Sequence, residues 1–78
     1  MTNLEKLTGI FRTVFDNDDI QLRPDMTADD VDGWDSLSHV NLILAVEKGF
    51  AIKFNQRELM TFHNVGELLR AVESKLGA

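Results

Sequence analysis

The chain has 78 residues, so residues 1–78 are expected to form one domain. Thirteen acidic side chains against eight basic ones give a formal charge of -5, which argues against nucleic-acid binding, where a basic surface must displace counterions. There is no cysteine, which excludes disulfides and thiolate metal sites, and the 44% hydrophobic content is that of a globular chain.

The first predicted element is a helix. Thr2 and Glu5 stand at capping-box spacing, and Leu4, Leu7, Phe11 and Val14 recur at helical intervals, with Ile10 and Phe15 alongside. Asp16, Asn17, Asp18 and Asp19 end it. The N-terminal segment has an early acid and no small-residue cleavage site, so it does not read as a signal peptide. No apolar run approaches the roughly 20 residues that span a bilayer, and the cytoplasm is the expected location.

A long connection follows, with the only proline, Pro24, and a turn-like Asp32-Gly33. Asp16, Asp18, Asp19, Asp25, Asp29, Asp30, Asp32 and Asp35 lie in a stretch whose one base is Arg23. Such stretches generally stay solvated; attraction of basic partners is the second reading. An EF-hand does not fit. Its sixth and twelfth places hold Gln21 and Thr27 counting from Asp16, or Asp35 and Asn41 counting from Asp30, where glycine and glutamate are needed. No metal site is expected.

The second helix should start at Asp35 or Ser36 and run to Glu47 or Lys48, with Asp35 as N-cap and Gly49 as the left-handed residue after it. On a helical wheel His39, Leu42, Ile43, Val46 and Phe50 form one apolar arc. Leu37, Val40 and Leu44 fall on the adjoining arc with Ser36 and Glu47. Periodicity alone leaves open whether this second arc widens the core or forms a contact patch. The first turn of a helix also suits a phosphate, although Asp35 would repel one; on spacing alone Ser36 is a capping serine. Phe50 to Phe54 reads as extended loop, Gln56 to Met60 as a single helical turn. The last helix opens at Asn64 with Glu67 three residues on, and Val65, Leu68, Leu69, Val72 and Leu76 give its stripe. Trp34 is expected at the mouth of the core, Met26 and Met60 as gap-fillers, and His63 in a loop or cap.

The segment Gly33-Trp34-Asp35-Ser36-Leu37-Ser38-His39-Val40 resembles the attachment motif of acyl and peptidyl carrier proteins, whose centre is Asp-Ser-Leu. The resemblance covers nearly the whole chain, including Phe50-Ala51-Ile52 and Asn64-Val65-Gly66-Glu67-Leu68. It implies an all-α fold, the acyl-carrier-type four-helix bundle of three main helices plus one short helix. It implies a carrier and not an enzyme, with covalent 4'-phosphopantetheine on Ser36 holding acyl groups as thioesters. It implies docking positions at Leu37, Val40 and Leu44, with Asp35 and Glu47 as electrostatic contacts. The implied partners are a phosphopantetheinyl transferase and acyl-loading and acyl-transferring enzymes; no nucleic acid or membrane is expected, and a monomer is.

Ser38, Asn41, Lys48, Lys53 and Arg57 stand where housekeeping fatty-acid carriers are typically acidic, which points to a specialised pathway. Acyl chains in this family can fold back between the second and third helices, and Phe54 and Phe62 are bulky for that space. The alternatives are a peptidyl carrier and an unmodified helical interaction module. A hydrolase built on Ser36 and His39 lacks an evident third group and oxyanion hole, so no catalytic residue is expected.

Overall fold

The structure is a computed structural model and describes residues 2–59 and 62–77. Among the described residues four helices follow one another: α1 (Asn3–Val14), α2 (Ser36–Phe50), α3 (Gln56–Leu59) and α4 (Val65–Lys75), with a 3₁₀ turn at Ala28–Asp30. No strand occurs among the described residues. Met60, expected to fill a gap, lies outside them.

α1 begins as its sequence requires. The Thr2 hydroxyl accepts from the Glu5 amide at 3.1 Å, and the Glu5 carboxylate accepts from the Thr2 amide at 3.3 Å. Its end is a Schellman closure. Asp16 adopts φ 49, and the Asn17 amide donates to the Arg12 carbonyl at 3.0 Å. Leu7 and Phe11 from α1, Leu42 and Val46 from α2, and Val65, Leu68 and Val72 from α4 are fully buried. These three helices therefore enclose one core.

The long connection contributes more to that core than its acidity suggests. Ile20, Leu22, Met26, Val31 and Trp34 are buried, while the aspartates between them face solvent. The Arg12 Nε donates to the Ile20 carbonyl at 2.8 Å. The first two amides of α4 donate back to the same connection: Val65 to the Met26 carbonyl and Gly66 to the Pro24 carbonyl, both at 2.8 Å. Helix-terminal donors that would otherwise be orphaned thus fasten the loop. A Cβ on Gly66 would stand 3.0 Å from the Pro24 oxygen, so this approach favours glycine.

Three expectations are corrected. α2 continues past Lys48 to Phe50, and Ala51, not Gly49, takes the left-handed conformation, with φ 55. Gly49 lies within the helix, where a Cβ would come 2.7 Å from Ile10 Cδ1; close packing of α1 on α2 is what calls for a small residue there. Leu76 follows α4 and is 43% exposed, so the α4 stripe fades at that end.

No helix of the described residues is long and apolar enough to cross a membrane.

Candidate functional site

The start of α2 is built by Asp35 and Ser38. Asp35 is the N-cap, and its Oδ1 accepts from the amides of Leu37 (3.0 Å) and Ser38 (2.9 Å). The Ser38 hydroxyl oxygen accepts from the Asp35 amide at 2.7 Å, and its one proton is shared between the Gly33 carbonyl and Asp35 Oδ1, 3.1 Å away. The result is a reciprocal capping box that also closes the preceding turn. The Ser38 amide, and then its hydroxyl, hold the Asp35 carboxyl below its ordinary 3.8. Sequence reasoning noted Ser38 only as a non-acidic position and missed its capping role, although Asp-x-x-Ser before an apolar run was the available signal.

Ser36 is the first residue of α2 and is exposed. No hydrogen bond engages its hydroxyl among the described residues. The amides of Leu37 and Ser38, which could have cradled an anion, are already bonded to Asp35. The helix terminus therefore does not serve as a preformed phosphate cradle. A group bonded at Ser36 would be held by that bond.

The wheel ambiguity is settled by exposure. Leu37 is 83% exposed, Val40 54% and Leu44 58%, and the three form an apolar ridge leading away from Ser36. Among the described residues nothing covers this ridge. Glu47, on the same arc, is half-buried, and its Oε2 accepts from the Phe54 amide at 2.7 Å. This carboxylate holds the chain that leads into α3.

Ser36 also stands on the rim of a cleft of about 610 Å³, lined among others by Trp34, His39, Ile43, Phe54 and Phe62. The Phe54 and Phe62 rings meet edge to face with centroids 5.4 Å apart. They form one wall of the cleft, the place where their bulk was expected to matter. Trp34 packs edge-on against Phe11 at 5.2 Å and donates from Nε1 to His39 Nδ1 at 3.1 Å. His39 thus has a structural partner and is not poised on Ser36. Among the described residues no group of three His, Asp or Glu side chains could hold a metal ion.

A family profile described as "Phosphopantetheine attachment site" matches residues 5–72. The solution structure of a holo acyl carrier protein from Geobacter metallireducens is 49% identical. The similarity covers 99% of this chain and 88% of that one, with a TM-score of 0.90. No curated protein matches the sequence.

Proposed function

Since the chain belongs to the acyl carrier protein family, carriers of covalent 4'-phosphopantetheine and not enzymes, we propose that Ser36 is its attachment point and that it serves a specialised pathway. The observation that carries the assignment of Ser36 is its exposed, unengaged hydroxyl at the first residue of α2. When bound, the prosthetic group supplies a terminal thiol on which an acyl group is held as a thioester.

What the chain itself does follows from the site. The capping box of Asp35 and Ser38 fixes the turn on which Ser36 stands, so a modifying enzyme meets an ordered backbone. Ser36 would offer its oxygen to the pantetheine-bearing phosphorus of a coenzyme A donor, the P–O bond to the departing nucleotide phosphate would break, and the serine proton would pass to a base on the transferase, since His39 Nδ1 already accepts from Trp34. The ridge of Leu37, Val40 and Leu44 gives partner enzymes, the phosphopantetheinyl transferase and the enzymes that load and unload cargo, a surface to bury. Asp35 adds charge at the Ser36 end of that ridge. The cleft beside Ser36 offers apolar cover to cargo that folds back. The tether raises the effective concentration of cargo at a docked enzyme to the millimolar range.

The specialised pathway is supported by Ser38, Asn41, Lys48 and Lys53, which leave the α2 region without its usual run of acids. Co-expression with a phosphopantetheinyl transferase tests the assignment. Intact-mass analysis should show the gain of one phosphopantetheinyl unit, lost in Ser36→Ala. A gain that persists in Ser36→Ala, or none with several transferases, overturns it.

A further inference from the structure

The apolar ridge of α2 ends in charges of opposite sign. At its start Asp35 is exposed and anionic, with exposed Asp30 and Asp32 in the chain before it. At its far end Leu44 shares a surface depression of about 330 Å³ with Glu47, Lys48 and Lys53.

The two lysines are uncommitted. Both are exposed, and neither makes an ion pair or hydrogen bond among the described residues. Other cations have tasks: Lys75 pairs with Glu58, Lys6 lies over the Phe50 ring, and Arg12 bonds the Ile20 carbonyl. Glu47 offsets one of the two positive charges, but its Oε2 points to the Phe54 amide. The depression keeps a net positive charge beside exposed Leu44.

Resting on the reading of this face as a docking surface, we infer that α2 selects a partner of mixed charge. That partner presents apolar side chains to Leu37, Val40 and Leu44, a cation to Asp35, and a carboxylate to Lys48 and Lys53. At 1.5 Å per residue, Asp35 and Lys48 lie about 20 Å apart along the helix, which sets the spacing of the two partner charges. A partner basic along its whole length would set one of its cations against the lysines. Such a like-charge contact, unpaired at the rim, is a means of rejecting the wrong partner.

Three synthetic amphipathic helical peptides with one leucine stripe test this: arginines at both ends, glutamates at both ends, or arginines at one end and glutamates at the other. Binding to the full-length protein is read from amide shifts. The mixed peptide should bind about three- to fivefold more tightly than the doubly basic one at low salt, with the gap narrowing as salt is added. In Lys48→Glu/Lys53→Glu the order should invert, the doubly basic peptide binding best. Equal affinities, or tighter binding of the doubly basic peptide to the unaltered chain, overturn the charge assignment while leaving the docking face intact. Leu44→Asp, checked for folding by circular dichroism, should abolish binding of all three. If it does not, or if no peptide shifts the α2 amides, the docking face itself is wrong and the inference goes with it.

Discussion

The Trp34 indole Nε1 donates to Nδ1 of His39 at 3.1 Å, and the two rings lie 17° from parallel. A ring nitrogen that accepts this bond carries no proton, so His39 holds its proton on Nε2. Nitrogen-15 spectra of the imidazole should show that tautomer. Trp34→Phe removes the donor and part of the ring that covers Phe11. It should cost about 1–2 kcal/mol in urea unfolding, with loss of the single tautomer. An unchanged imidazole spectrum in Trp34→Phe would show that the bond does not fix the ring.

Ser38 closes the capping box, so Ser38→Ala leaves the Asp35 amide and the Gly33 carbonyl without their side-chain partner. The expected loss is about 1 kcal/mol. For a domain of this size that lowers Tm by roughly 4–8 °C. Ser38→Thr keeps the hydroxyl and should recover most of the loss. A Tm for Ser38→Ala equal to that of the parent would remove this role.

Asp35 and Glu58 both titrate below their ordinary values of 3.8 and 4.5. The Ser38 amide lowers the first; the Lys75 ammonium, 2.9 Å from Glu58, lowers the second. A carboxyl depressed in the folded state stabilises it fully above the unfolded value, and loses that contribution as pH falls through the folded one. Stability should therefore drop below pH 4.5 for Glu58 and below 3.8 for Asp35. Glu58→Gln and Asp35→Asn should each flatten the curve in their own window. Acid unfolding followed by circular dichroism reads the difference, and superimposable curves would count against it.

Two backbone positions give effects of opposite sign. Ala51 sits at φ 55, a conformation glycine adopts without strain, so Ala51→Gly should stabilise by about 0.5–1 kcal/mol. Gly66→Ala places a methyl 3.0 Å from the Pro24 oxygen and should cost about 1–3 kcal/mol through a forced backbone shift. Thermal melts of the two variants should move in opposite directions.

The main helices were legible because each starts with a local chemical signal: Thr2 with Glu5, Asp35 before the apolar run, Asn64 with Glu67. The acidic connection was legible only in part. Its aspartates suggested a solvated loop, yet the apolar residues between them pack inward, because a small core needs every available apolar side chain. The end of α2 misled, since glycine is the common left-handed residue; here tight packing against Ile10 claims Gly49, and Ala51 accepts the strain. The contact of Glu47 with the Phe54 amide left no trace in periodicity, for it spans a turn whose geometry the pattern does not encode. The exposure of Leu37, Val40 and Leu44 needed the folded chain, because a wheel shows which residues share a face and not which face is covered.

The acid that caps α2 has a mechanical corollary. By occupying the amides of Leu37 and Ser38, Asp35 leaves fewer donors at the helix mouth to grip a neighbouring phosphodiester. Were the prosthetic group carried on Ser36, as proposed, its linkage would turn as a loose swivel, its heading set by whichever enzyme had captured the carrier. A root that imposed one direction would favour a single client over the rest; an unclamped one lets the same cargo be passed along a sequence of them.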